Sequence, residues 1–241
     1  MKYGVLGDIH ANIEALDAVI EALEAEGVAH YLSVGDIVGY GADPSPCIRR
    51  VREIGATVVA GNHDWAAVGQ LDTSFFNAYA KAAIDWTAQA LSAEDREWIA
   101  SLSLQEIVSN EVMVTHATVD KPEEFNYIQS YYDAARSLNA MTTTVCFVGH
   151  SHVPLIFAMD ETIHLSMSHR ADLSGFRRAL VNVGSIGQPR DENPKAAYGV
   201  YDSETGEYRL ERVRYDLQRA GDKIRAAGLP ELLAERLRLG R

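Results

Sequence analysis

One short pattern constrains the fold of this chain more than any other feature. Four times, an apolar stretch of strand length runs into a glycine, and a side chain that can bind a metal follows at once. The four segments are Gly7-Asp8-Ile9-His10, Gly35-Asp36-Ile37-Val38, Gly61-Asn62-His63-Asp64 and Gly149-His150-Ser151-His152. A glycine lets the backbone turn sharply, so each polar side chain is presented at the carboxyl end of a strand. Ligand sites of open α/β sheets lie at that edge, and we expect the four segments to meet there.

The order of the predicted elements indicates an α/β fold. Lys2 to Leu6 predicts a strand, Asn12 the N-cap of an amphipathic helix, and Gly27 the end of that helix. Strands and helices then alternate, which predicts a parallel sheet. From Leu155 onward, apolar residues recur with period two, which predicts mainly antiparallel strands. Because the chain shows no linker or internal repeat, we expect one domain, residues 1–241, of two stacked β-sheets flanked by helices.

Composition limits the partners of the protein. The chain has 241 residues, 47% of them apolar, and its net charge of −12 argues against binding nucleic acid or an anionic membrane. Met1-Lys2 leads straight into a strand and no apolar run approaches the ~20 residues of a membrane span, so we expect no cleavable leader and a cytoplasmic location. Cys47 and Cys146 lack metal-type spacing and are interpreted as small core residues in a reduced compartment. The sequence favours no particular oligomeric state.

Two further stretches predict local structure. Aromatic and small residues recur at helical spacing after the third segment, and we predict that they form the core face of a helix instead of a ligand site. They are Phe75, Phe76, Tyr79, Ala83 and Trp86. A hairpin over Leu104 to Thr115 is predicted to end directly on His116, so another metal-type ligand again follows a strand.

The polar residues at these strand ends together indicate a metal site. Five of the eight histidines fall in these corners, although a single histidine there would be unremarkable. The candidate ligands are Asp8, His10, Asp36, Asn62, His116, His150 and His152. Mixed carboxylate, imidazole and carbonyl ligands suit Mn, Fe, Co, Ni or Zn better than Ca or Mg. So many ligands favour a pair of ions ~3.5–4 Å apart, and Asp36 is the candidate bridge because a carboxylate can use both of its oxygens.

These ordered segments, together with Thr115-His116, closely resemble the calcineurin-like metallophosphoesterases. The block from Asn182 to Arg190 is similar to one in small bacterial and archaeal single-domain members of that superfamily. The resemblance covers residues 2 to about 202. It implies a four-layer α/β/β/α sandwich in which two mixed β-sheets are flanked by helices, the metallo-dependent phosphatase fold.

The resemblance also implies a role for each residue. Asp8, His10 and His152 would bind one divalent ion, and Asn62, His116 and His150 the other. Asp36 would bridge the two ions, with manganese as the first expectation and Fe, Ni, Co or Zn as alternatives. His63 would protonate the leaving group, and Asp64 would orient His63 by contact with its other ring nitrogen.

Arg190 is the candidate substrate-binding residue outside the metal ligands. It follows a turn that fixes its backbone, and its planar guanidinium suits a phosphate group. A salt bridge to Asp191 or Glu192 is an equally supported alternative. Asn12 and Tyr40 adjoin the ligand segments, but a helix cap and a packed ring are the favoured roles for them.

The resemblance and the residues together predict a dinuclear metal-dependent phosphoesterase. We expect it to hydrolyse phosphodiester or phosphoanhydride bonds of a small phosphoester or nucleotide-like substrate, with a hydroxide between the two ions as nucleophile. A phosphomonoesterase, including a protein Ser/Thr phosphatase, is the first alternative. A non-catalytic metal-site scaffold is the second, and the presence of His63 argues against it because a scaffold needs no proton donor.

Overall fold

Strands of two six-stranded sheets form the centre of the molecule, and the computed structural model describes all residues from Met1 to Arg241. The strands in chain order are β1 (Lys2–Leu6), β2 (His30–Ser33), β3 (Thr57–Val58), β4 (Gln105–Ile107), β5 (Val112–Thr115), β6 (Val145–Val148), β7 (Leu155–Met159), β8 (Ile163–Ser166), β9 (Arg170–Asp172), β10 (Arg178–Asn182), β11 (Ala196–Asp202) and β12 (Glu207–Val213). The helices are α1 (Ile13–Ala25), α2 (Pro44–Glu53), α3 (Asn62–Ala67), α4 (Ala78–Ala90), α5 (Ala93–Ala100), α6 (Tyr131–Ala140), α7 (Leu217–Ala226) and α8 (Glu231–Leu239), with a short 3₁₀ turn at Pro122–Glu124.

Each of the two sheets contains three adjacent parallel strands, at one edge of the first sheet and inside the second. The first sheet has the order β3-β2-β1-β11-β12-β9, and the second has β4-β5-β6-β10-β7-β8. Strands β1, β2 and β3 are mutually parallel, as are β5, β6 and β10, and every other pairing is antiparallel. The predicted parallel opening and the mainly antiparallel second half are both confirmed. All predicted ligand segments follow strands of these two parallel sets.

The alternation of side chains along each strand builds the layers. In β6, Val145 and Phe147 pack between the two sheets, whereas Cys146 and Val148 pack on the α6 side of the second sheet. Phe147 meets the rings of Tyr201 and Tyr208 at centroid distances of 5.5 and 6.1 Å. On the outer face of the first sheet lie α1 and α2. The predicted four-layer α/β/β/α sandwich is confirmed.

Local sequence signals set the helix that leaves the first ligand loop. The side chain of Asn12 accepts the backbone N–H of Ala15 and so caps α1, and its amide donates to the carbonyl of Gly187. At the other end, Gly27 has a left-handed φ of 71°, the conformation that ends many helices. The predicted cap and stop are confirmed, and the cap also joins the first ligand loop to the loop after β10.

The last two helices pack behind the ligand loops. Ala220, Leu233 and Leu237 form one cluster with the ring of Tyr40. Lys223 of α7 donates to Asp43 at 2.7 Å and lies 2.6 Å from Glu14. None of the helices combines the length and the apolar character needed to cross a membrane.

One local prediction is wrong. Helix α4 begins only at Ala78, so Phe75 and Phe76 lie before it, and Phe75 is 93% and Tyr79 47% exposed instead of buried. The cause is an Asx turn: Asp72 accepts both the backbone N–H and the hydroxyl of Ser74, which holds the segment out of helical conformation. The predicted burial of Cys47 and Cys146, both free thiols, is confirmed.

Candidate metal centre

The loops after the parallel strands bring the predicted ligands into two buried groups that share one residue. In each group the potential ligand atoms all lie within 4.8 Å of one another. One group is Asp8, His10, Asp36 and His152, and the other is Asp36, His116 and His150. Asn62 adjoins the second group, with its Oδ1 3.1 Å from Nε2 of His116. The structure thus gathers all seven predicted ligands at one edge of the stacked sheets.

The backbone of these loops is held in an uncommon conformation. Left-handed φ values between 46° and 67° occur at five ligand positions. These are Asp8, His10, Asp36, His150 and His152. Such a conformation costs a non-glycine residue roughly 1–3 kcal/mol and is typical of functional sites. This conformation directs each of these side chains into the ligand groups directly after its strand ends.

Two glycines of the motifs are required by close approach. A Cβ on Gly61 would collide with the carboxylate and the backbone nitrogen of Asp36, and one on Gly149 would collide with the carboxylate of Asp8. Both glycines therefore let a buried aspartate lie directly against the neighbouring chain.

Asp36 joins the two groups through a single oxygen. Its Oδ1 accepts the backbone N–H of His63 at 2.8 Å. Its Oδ2 lies 3.6 Å from Nε2 of His10 and 3.4 Å from Nε2 of His116, one in each group. Oδ1 keeps a free lone pair beside this hydrogen bond, so the expected bridging by Asp36 stays a prediction, with Oδ2 nearest to both groups.

Backbone carbonyls fix the tautomers of three imidazoles. Nδ1 of His10 lies 3.1 Å from the carbonyl oxygen of Val38, and Nδ1 of His152 lies 2.6 Å from that of Gln188. Nδ1 of His116 has the same arrangement with a carbonyl 2.8 Å away. A carbonyl only accepts, so each Nδ1 donates its proton, and the neutral rings of His10 and His152 present a lone pair at Nε2. These Nε2 atoms all point into the two groups.

Burial and mutual charge decide the protonation of the site. Burial raises the pKa of Asp8 to about 7, and the charge of Asp36 adds to the rise. Burial also holds the pKa values of His10 and His152 well below the ordinary histidine range. The pKa of Asp36 is well below its usual range although burial opposes this, because His116 lies beside it. In turn Asp36 overcomes the effect of burial on His116 and raises the pKa of that ring to about 9.

These residues fit divalent cations. Nε2 of His10 and Nε2 of His152 lie 3.0 Å apart. Both rings carry their proton on Nδ1, so the lone pairs of the two Nε2 atoms face each other. Nε2 of His150 is buried without a hydrogen-bond partner. A cation satisfies facing lone pairs and compensates the buried carboxylates, and it takes histidine in its neutral form.

His63 lies beside this centre, but its predicted contact with Asp64 is absent. Asp64 accepts the backbone N–H groups of Val38 and Gly61, at 3.1 and 3.0 Å, and so caps α3. Nδ1 of His63 is buried and has no hydrogen-bond partner. Burial lowers the pKa of His63 to about 4, against the opposing charge of Asp36. Asp64 thus fixes the helix that carries His63 and does not touch the ring.

Arg190 extends toward the site and is not paired with its acidic neighbours. Its Nη2 donates to Oε1 of Gln188 at 3.0 Å and to the hydroxyl of Tyr40 at 3.3 Å. Asp191 pairs with Arg212 instead, so the salt-bridge alternative fails. The other acidic candidate, Glu192, pairs with an arginine at the end of the chain.

A cleft of about 350 Å³ opens next to the two groups. Asn62, His63 and His150 lie among its lining residues. Its aromatic lining residues are Tyr40, Phe75, Phe76, Phe125 and Tyr127. Sequence reasoning missed this wall, although the Asp72-Thr73-Ser74 turn signal before Phe75 could have shown that the segment is a loop.

Comparison with known proteins agrees with this geometry. Residues 1–206 match the calcineurin-like phosphoesterase superfamily domain. The uncharacterized protein MJ0912 of Methanocaldococcus jannaschii is 36% identical over 241 residues, which cover 98% of this chain and 97% of that protein. The crystal structure of a metallophosphoesterase from Sphaerobacter thermophilus is 37% identical with a TM-score of 0.88, covering 100% of this chain and 99% of that one.

A further crystal structure, of the hypothetical protein PH1004 from Pyrococcus horikoshii OT3, shares the fold. Its TM-score is 0.82 at 23% identity, with 100% of this chain and 98% of that chain covered. The family match spans most of the chain and the two more similar relatives nearly all of it. The chain therefore belongs to the calcineurin-like phosphoesterase superfamily and is a hydrolase that acts on phosphate esters.

Proposed function

We propose that the protein is a dinuclear metal-dependent phosphoesterase that cleaves phosphodiester or phosphoanhydride bonds of small nucleotide-like substrates. The observation that carries this proposal is the position of one oxygen of Asp36 between two buried ligand groups, beside an open cleft. A panel of aryl mono- and diesters, dinucleoside polyphosphates, cyclic nucleotides and phosphopeptides, assayed with each candidate metal, tests it. Faster turnover of the monoesters or phosphopeptides would replace it with the phosphomonoesterase alternative.

Each of the two ligand groups would hold one ion. Asp8, His10 and His152 would hold one ion, and His116, His150 and Asn62 the other, with Asp36 shared. Manganese is our first choice, with Fe, Ni, Co or Zn as alternatives for this mixed ligand set. Two such ions withdraw charge from a phosphoryl group and lower the pKa of water.

Arg190 and His63 would act on the substrate itself. Arg190 offers a guanidinium held by Gln188 and Tyr40, in a form suited to phosphoryl oxygens. His63 would give its proton to the leaving oxygen. The ring is neutral in the free protein at its pKa of about 4, and an anionic phosphoester beside it would favour the protonated form. Asp64 would support this role through the start of α3.

We propose the domain organisation, the cellular location and the partners of the protein from separate observations. The packing of α7 and α8 against Tyr40 supports one domain over residues 1–241. The buried free thiols of Cys47 and Cys146 support a cytoplasmic location. The net charge of −12 supports small-molecule partners over nucleic acid or an anionic membrane.

Asp36→Asn tests the shared ligand. The amide keeps an oxygen that can accept the N–H of His63, so the fold should survive, but it lacks the anionic oxygen between the two groups. We expect the metal content to fall from two ions per chain to one or none, and activity to fall by orders of magnitude. Metal analysis with Asp172→Asn, an exposed aspartate of β9, is the control; full metal content and activity in Asp36→Asn would reject the bridge.

Arg190→Ala tests the substrate contact. We expect a higher KM for anionic substrates at unchanged metal content, because the contact is shared by ground and transition states. Arg190→Lys should recover only part of the loss, since an ammonium lacks the planar fork. Arg177→Ala, an exposed arginine next to the amino end of β10, is the matched control. Unchanged steady-state kinetics in Arg190→Ala would contradict the assignment.

His63→Ala tests proton donation apart from metal binding. Both ions should remain, because the seven ligands are untouched. Substrates with alkyl or ribose leaving groups should lose the ~10²–10⁴-fold typical of general acid catalysis, whereas nitrophenyl esters, whose leaving group is a stable anion, should lose much less.

The exposed histidine variant His164→Ala serves as the control for His63→Ala. Equal losses for alkyl and nitrophenyl leaving groups, or a purified variant that lacks metal, would show that His63 supports the site structurally and donates no proton.

A further inference from the structure

The cleft beside the metal centre has aromatic walls that the proposed chemistry does not use. One wall comes from the segment before α4 and carries Phe75 and Phe76. The other comes from the loop between β5 and α6 and carries Phe125 and Tyr127. At about 350 Å³ the cleft has the size of a site for a small molecule.

The aromatic walls continue directly from the residues of the metal centre. The ring of Phe76 lies 5.2 Å from that of His63. The ring of Tyr127 stacks on His150 at 4.1 Å and an interplanar angle of 23°. Phe125 meets His116 edge-on at 5.9 Å. Any group attached to a phosphorus atom at the centre therefore meets aromatic surface as it leaves the site on this side.

The ring of Phe75 is exposed to solvent at the cleft. It is 93% exposed, and Tyr127 on the other wall is 46% exposed. Burial of an aromatic ring is favourable, so the exposed face of Phe75 is a favourable partner for a ligand. Exposed aromatic surface facing a cleft is the form that stacking sites take.

The charges around the cleft restrict the ligand further. None of its lining residues is a lysine or an arginine, whereas Asp72 and Glu124 both belong to the lining. This lining disfavours a second phosphate group or an acidic peptide. It suits an uncharged planar group with N–H donors.

We propose that the cleft binds the nucleobase of the leaving group, stacked between Phe75 and Tyr127, so that the released alcohol is a nucleoside. This rests on the proposed function. His63, which donates a proton to the leaving oxygen in the proposed function, lines the cleft. The leaving oxygen therefore lies on the side of phosphorus that faces the cleft. In the reaction, the oxygen of water bonds to phosphorus and the P–O5′ bond breaks. O5′ takes a proton from His63, and the proton lost by the water restores that ring.

A pair of methyl phosphodiesters tests this, one of adenosine 5′-phosphate and one of abasic ribose 5-phosphate. Stacking on one aromatic side chain favours a base by roughly five- to a hundredfold, so we expect the wild-type kcat/KM to be about tenfold higher for the adenosine ester. The products should be adenosine and methyl phosphate. Adenylate and methanol as products would overturn the proposal, because the base would then lie on the other side of phosphorus.

Phe75 variants provide the specific comparison. Phe75→Leu should lose the preference for the adenosine ester and leave the abasic ester unchanged, whereas Phe75→Tyr should keep the preference because it keeps an aromatic face. Since the side chain is 93% exposed, neither change should alter folding. The control is Tyr132→Leu, which removes an exposed ring outside the cleft. Equal kcat/KM for both esters in the wild type, or a preference that survives in Phe75→Leu, would overturn the proposal.

A binding measurement separates this proposal from the proposed function. Adenosine, which carries no phosphate, should bind the metal-loaded protein in calorimetry while ribose does not, and Phe75→Leu should abolish that binding. Activity on aryl diesters without adenosine binding would overturn the stacking site and leave the phosphoesterase function standing. Adenosine binding without cleavage of any phosphodiester would support the stacking site and refute the function.

Discussion

The carboxylate of Asp36 is the contact on which the rest of the centre depends. Through Oδ1 it holds the backbone of His63 at the start of α3, and through Oδ2 it faces His10 and His116 in separate ligand groups. One side chain thereby sets the positions of the loop after β2, the helix after β3 and both groups. Gly61 has to be a glycine for the same reason, since a Cβ there would displace this carboxylate.

Forming this centre opposes folding, and the burial of apolar residues in the two sheets offsets that cost. Five ligand residues have left-handed backbones, each at roughly 1–3 kcal/mol, and buried carboxylates add several kcal/mol apiece unless they are compensated. The strands that end at the centre are anchored in the apolar layer between the sheets, where Phe147 and Tyr208 are fully buried. The scaffold thus holds the ligands in place in advance, and ions that bind the folded state add stability by mass action.

The location of the centre could be predicted from the sequence because its signals are local. A strand, a glycine and a ligand place a side chain at a sheet edge, whatever the rest of the chain does. Contacts between distant side chains carry no such signal. Arg190 meets Gln188 and Tyr40 instead of its acidic neighbours, and Asp64 bonds to backbone N–H groups. Phe75 fits a helical period, but the Asx turn before it overrides that period and leaves its ring in the cleft.

A titration of the unaltered protein with Mn²⁺, followed by electron paramagnetic resonance, tests the central claim most directly. If Asp36 shares one oxygen between two ions, the chain should bind two Mn²⁺ close enough to couple magnetically, so the hyperfine spectrum of isolated Mn²⁺ should give way to that of a coupled pair as the second ion binds. Saturation at one ion per chain, or two ions that keep the spectrum of isolated Mn²⁺, would contradict the account.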